Sequence, residues 1–173
     1  LAADVSDNLA PPATGSKVIR LDGAGPLPDG SPPTFSDRID IVDRNGVYAA
    51  NRGGKITRIP FDLDPRRVDP LRGHMMVPVG ETSAGVIVLI DDYATVPTST
   101  GRCKDGTETF VRIFSLPRAR QLATLPAGSC LDGVPRPSQE VVWLPPDRFR
   151  VEVSPHRTYA IDGVDGISIV ETR

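Results

Sequence analysis

The chain of 173 residues reads as an all-β protein built from three blade-like antiparallel meander repeats, a propeller-like or open β array with no major helix. Three observations carry that expectation. Stretches rich in valine and isoleucine alternate with Gly, Pro, Asn and Asp signals through most of the sequence after residue 37, the grammar of short strands joined by tight turns. Three strand-like ends recur at near-constant spacing: RIPFDLDPRRVDPLRG from Arg58, RIFSLPRARQLATLPAG from Arg112 and ISIVETR from Ile167. Aligned on Ile59, Ile113 and Ile169 they lie roughly 55 residues apart, close to the period of propeller blades, units that cannot bury an apolar face alone. Finally, 18 prolines and 16 glycines would interrupt a helix in nearly every window.

In chain order, residues 1–37 read as a signal-peptide remnant and a Pro-rich extended arm. LAADVSDN resembles the start of a mature chain from which a secretory leader has been removed, and prolines at 11, 12, 26, 28, 32 and 33 leave only KVIRL, from Lys17, as a strand candidate. Residues 38–173 form a single β domain with repeats over 38–73, 74–130 and 131–173. In the first, RIDIVDRNGVYAANRGGKITRIPF reads as three strands joined by Asn45-Gly46 and by Arg52-Gly53-Gly54; Asn-Gly supplies the positive φ of a type I′ turn. In the second, MMVPV from Met75 is followed by GVIVLIDD from Gly85, apolar on both faces and so a central strand. FVRIF, LPRAR and QLATL then read as strand, turn and strand, the outer hairpin of a blade. Leu116, Leu122 and Leu125 fit a helical period only loosely. In the third, EVVWL precedes RFRVEVSPHRTYAIDGVDGISIVET, with turns at Pro155-His156 and from Asp162 to Gly166.

The predicted core is Ile39, Ile41, Val47, Ile56, Val86, Val88, Leu89, Val111, Ile113, Val142, Val151, Ile167 and Ile169. Three blades are fewer than a closed propeller needs, so the sheets stay open, recruit the N-terminal strand, or close against a partner.

Composition narrows the partners. A net charge of −2 without a basic stripe, and only one Trp, three Tyr and five Phe, argue against nucleic acid. No apolar run is long enough for a membrane span. Cys103 and Cys130 flank the FVRIF/QLATL hairpin, which returns its ends to one place, so they are expected to form a disulfide. Closing that loop stabilises by about 3.5 kcal/mol on the chain-entropy model. A disulfide implies an oxidising compartment, periplasmic or secreted.

Catalytic chemistry is not legible. His74 and His156 lie in separate predicted loops without metal-ligand spacing, and Ser83 in GETSAG lacks the setting of a nucleophile elbow. No phosphate-cradling glycine loop is present, and no cofactor is expected. Asp62, Asp64 and Asp69, the pair Asp91-Asp92, and Asp162 with Asp165 carry oxygens that calcium favours, but none follows a calcium-loop pattern, and aspartates at hairpin corners need no metal. No metal site and no catalytic residue is expected, although carboxylates dispersed over a cleft would suit a glycoside hydrolase.

What remains is binding. DDYATVPTSTGRCKDGTE is the longest irregular insertion in any repeat, and Cys103 anchors it. Tyr93, Thr98, Ser99, Thr100, Arg102 and Lys104 are its candidate partner-binding residues, because a stapled loop loses less entropy on association.

Together, GVIVLIDDYATVPTSTG and TFVRIFSLPRARQLATL resemble the periplasmic immunity proteins that protect bacteria from type VI secretion peptidoglycan amidases. The resemblance implies a non-catalytic inhibitor whose serine-bearing loop enters the effector's cleft and blocks its Cys-His pair. Here that role falls to Ser99, with Thr98 and Thr100 beside it; the long proline-rich arm departs from the family's pattern. The expected function is thus a periplasmic protein that binds a protein partner, such as a peptidoglycan amidase effector. A structural module of an envelope complex is the alternative, and a hydrolase with a dispersed carboxylate site the third.

Overall fold

A computed structural model describes residues 17–20, 40–43, 46–52, 55–136, 140–152 and 156–170 of the chain. Twelve strands form three four-stranded antiparallel meanders. The first sheet contains β1 (Lys17–Arg20), β2 (Asp40–Asp43), β3 (Val47–Arg52) and β4 (Lys55–Pro60). The central sheet contains β5 (Val68–Glu81), β6 (Val86–Thr95), β7 (Thr107–Ser115) and β8 (Arg120–Ser129). The third contains β9 (Val141–Leu144), β10 (Arg148–Val151), β11 (Arg157–Asp162) and β12 (Gly166–Val170). No helix occurs among the described residues, and the segment from Leu116 to Leu125 is a turn followed by β8.

The sheets stack face to face with the central one between its neighbours. Successive side chains of a strand point to opposite faces, so parity decides which neighbour each residue meets. From β6, Ile87 and Leu89 join Tyr48, Ala50, Ile59, Phe61, Met76 and Phe114 against the first sheet. Val86, Val88 and Ile90 join Val111 and Ile113 against Trp143, Phe149, Val151, Tyr159 and Ile161 of the third. With both faces covered, all residues from Val86 to Ile90 are buried, which is why this strand reads as an unbroken apolar run. Each such Val, Ile or Leu contributes about 1.5–3 kcal/mol.

Three expectations are corrected. The first unit has four strands rather than three, with KVIR of β1 completing the sheet by pairing with β2; residues 1–16 and 21–39 lie outside the described residues. The central sheet begins at Val68, ahead of the expected boundary at 74, because β5 runs continuously to Glu81. Finally, the recurring isoleucines are not equivalent: Ile59 and Ile169 stand in fourth strands, whereas Ile113 stands in the third strand of its sheet.

Of the predicted core, Val86, Val88, Leu89, Val111, Ile113 and Val151 are buried. Val47, Ile56, Val142 and Ile167 are half-buried, and Ile169 is 54% exposed because β12 is an edge strand. Ile39 and the side chain of Ile41 lie outside the described residues. Aromatic rings do more of the filling: Trp143, Tyr48, Tyr93, Phe114 and Phe149 are among the largest fully buried side chains. Trp143 lies so close to Gly80 that a Cβ there would stand 2.5 Å from its Cδ2.

Candidate functional site

The meander puts the β4–β5, β6–β7, β8–β9 and β10–β11 connections at one end of the array. Two backbone bonds tie that end together: Val96 N–H to the Arg67 carbonyl at 2.9 Å and Glu152 N–H to the Glu140 carbonyl at 3.0 Å. The predicted insertion, residues 91–108, shortens to a β6–β7 loop of residues 96–106, because Asp91 to Thr95 continue β6 and Thr107 and Glu108 open β7, and the predicted disulfide is present. Cys103 and Cys130 are bonded with a Cα separation of 5.8 Å, joining the loop to the end of β8. Gly106 lies against the bridge, where a Cβ would come within 2.6 Å of the Cys130 sulfur, so only glycine fits.

Polar contacts fix the rest of the loop. Arg102 Nη2 donates to the Leu131 carbonyl at 2.6 Å, and Arg72 donates to the Thr95 and Lys104 carbonyls at 3.1 and 2.7 Å. Thr98 Oγ1 donates to the Arg102 carbonyl at 3.2 Å and shares a hydrogen bond with Thr100 Oγ1 at 2.9 Å. Ser99, Thr100 and Lys104 are exposed. Thr98 and Arg102 therefore brace the loop, and the other three are its outward surface.

Tyr93 is the correction in this set. It belongs to β6 rather than the loop, is fully buried, and stacks on His74 at 4.3 Å between ring centroids. Its hydroxyl donates to Asp91 Oδ2 at 2.5 Å. His74 likewise belongs to a strand, β5, not a loop.

Beneath the loop lies a layer of buried carboxylates whose partners come from distant sequence. Asp91, fully buried, contacts His74 Nε2 and accepts from Arg112 Nε at 2.5 Å. The Arg112 guanidinium stands 4.3 Å from the Phe61 ring centroid, within cation–π range. Asp92 accepts from Thr109 Oγ1 at 2.5 Å and from Arg136 Nη1 at 2.7 Å, and Arg136 also pairs with Glu140. Glu108 accepts from Arg67 Nη2 at 3.0 Å, Ser129 Oγ at 2.7 Å and the Leu131 backbone N–H at 3.1 Å.

Asp132 closes this last group by pairing with Arg67 at 2.5 Å. The Arg67 guanidinium holds the Asp132 carboxyl below its ordinary range, and Asp132, ahead of Glu108, raises Arg67. At the opposite end, burial pushes the Tyr48 hydroxyl well above its ordinary value.

Asp91 and Asp92 are adjacent in sequence but point to opposite faces of β6, which separates them as ligands for one ion. Read from sequence they are turn or calcium candidates, and Arg67, Glu108, Arg112 and Arg136 go unnoticed. A charge inside a β-branched run such as FVRIF is the available signal. Beside the loop a cleft of about 480 Å³ runs along β5, lined by Arg72, His74, Met75, Tyr93, Lys104 and Thr107 among others. No family model matches the chain, and no curated protein and no solved structure matches it.

Proposed function

We propose that the protein is a non-catalytic binding protein whose stapled β6–β7 loop is its contact surface for a protein partner. The supporting observation is the bracing of that loop: a disulfide, the Arg102 and Arg72 clamps and the Thr98 bonds leave Ser99, Thr100 and Lys104 outward. A loop held in this way enters a complex with little ordering cost. Its placement over paired, buried carboxylates suits a support better than a reaction centre. The closed disulfide fits an extracytoplasmic protein. The immunity-type resemblance sharpens the reading to an inhibitor that seats Ser99 and its neighbours in the cleft of a cell-wall amidase.

Capture from an envelope extract with the oxidised protein, followed by an amidase assay of what is captured, tests this. Ser99→Ala, Thr100→Ala and Lys104→Ala combined should weaken capture about thirtyfold with an unchanged Tm, since exposed side chains add little to folding. Full capture by the triple variant would remove the loop from the interface. A captured partner without amidase activity would retain the binder and discard the inhibitor.

A further inference from the structure

The geometry points to a second site, a cavity between the β4–β5 connection and strands β5, β7 and β8 of the central sheet that takes a phenolic ring. Its volume is about 180 Å³, the scale of a void of about 150 Å³ that holds one benzene. Leu63, Val68 and Phe110 give it apolar walls, and Arg112, Thr124, Asp62, Asp64 and Arg67 add polar groups.

Arg112 identifies the oxygen. It is only 1% exposed. Its Nε serves Asp91, and its Nη1 serves Gln121 Oε1 at 3.1 Å and Thr124 Oγ1 at 3.2 Å. A guanidinium has five N–H donors, so both hydrogens of Nη2 remain without an acceptor among the described residues. This cavity is the space that Arg112 borders.

Charge selects the rest. Asp91 already offsets Arg112, so an acceptor oxygen suffices and a full anion is not required. Asp62, exposed at the same cavity, has no partner among the described residues and offers a carboxylate to a donor. Of the other charges at the cavity, Asp64 is taken by Arg66, and Arg67 by Glu108 and Asp132, so a carboxylate ligand would be repelled by Asp62 and an amine by Arg112. A hydroxyl satisfies both, accepting from Nη2 and donating to Asp62, while its ring fills the apolar walls beside Phe110. The shared chemistry has two sources, a partner's tyrosine side chain or a free phenolic compound.

Titration of the oxidised protein with p-cresol, followed by NMR chemical shifts, should give saturable binding with Kd on the order of 1 mM. Toluene, which lacks the hydroxyl, should bind about fivefold more weakly, and Asp62→Ala should weaken p-cresol by a similar factor without affecting toluene. Leu63→Trp should fill the cavity and reduce both at least about tenfold; if that variant does not fold, the exposed Asp62→Ala still decides. N-acetyl-tyrosinamide binding as tightly as p-cresol assigns the site to a partner's tyrosine, and p-cresol binding alone assigns it to a free phenol. Absence of saturable p-cresol binding, or toluene binding equally well, overturns the proposal. None of these residues lies in the β6–β7 loop, so either outcome leaves the loop reading to its own test.

Discussion

Strand β6 changes character between Ile90 and Asp91. From Val86 to Ile90 it is hydrocarbon on both faces, packed against Phe114 on one side and Trp143 and Phe149 on the other. From Asp91 to Thr95 it is nearly as buried, but the groups inside are carboxylates, a phenol and a hydroxyl. The first half holds three sheets together by removing apolar area from water. The second half holds loops: Arg112, Arg136 and Arg67 reach the acids of this end from β7, the β8–β9 connection and the β4–β5 connection. Hydrocarbon packing is tolerant of direction, whereas charge-assisted hydrogen bonds fix it. Directional placement is therefore concentrated at the end that carries the candidate site.

The largest expected effect lies in the charged half. Arg112→Leu leaves Asp91 buried without its guanidinium and should cost about 3–5 kcal/mol in urea unfolding, with Arg112→Leu/Asp91→Leu recovering a large part. A loss below about 1 kcal/mol would erase the distinction between the halves. Reduction of Cys103–Cys130 should cost about 3.5 kcal/mol, and hydrogen exchange should then show protection lost in residues 96–106 while residues 86–90 keep theirs. Equal loss in both would make the bridge a global staple rather than a local one.

In the hydrocarbon half, Gly80→Ala drives a methyl into Trp143 and should cost about 1–3 kcal/mol. Its binding of p-cresol and of the loop's partner should match the parent at a temperature where it is folded.

The smallest effect is electrostatic. Arg67 holds Asp132 below the ordinary carboxylate value of 3.8, so the pair's contribution is fully present above that value and fades as pH falls through the lower folded-state value. Tm should therefore drop on acidification below about pH 4, and Asp132→Asn should flatten part of that slope. A steeper slope in the variant would contradict the pairing.

The hydrocarbon half is legible in the sequence, because GVIVLI has no polar face and can only be a strand covered on both sides. The same logic fails in β7. FVRIF reads as an alternation of apolar and charged residues, the mark of one wet face, yet Arg112 is buried because the first sheet covers that face. Local sequence does not reveal whether a second layer exists. Nor does it reveal that Asp92 meets Arg136, which lies beyond the β7–β8 hairpin. Cysteine placement is legible for the opposite reason, since a hairpin is a local structure and fixes where its ends meet. The repeat spacing misleads by matching a third strand to two fourth strands, which resemble one another once each alternates Ile with polar residues.

The order of strands bears on synthesis. Every strand pairs with the strand before it in its sheet, so each sheet can assemble as soon as its own residues leave the ribosome, without waiting for distant sequence. A nascent chain stalled with Cys130 just clear of the exit already holds β5 to β8 and both sulfurs. It still lacks Trp143 and Phe149 to cover Val86, Val88 and Ile90. During that interval the central sheet exposes its most apolar face, so the third sheet acts as the cover that ends a vulnerable stage of translation. Chains truncated after residue 136 should oxidise correctly yet aggregate, and a soluble, monodisperse truncation would rule this out.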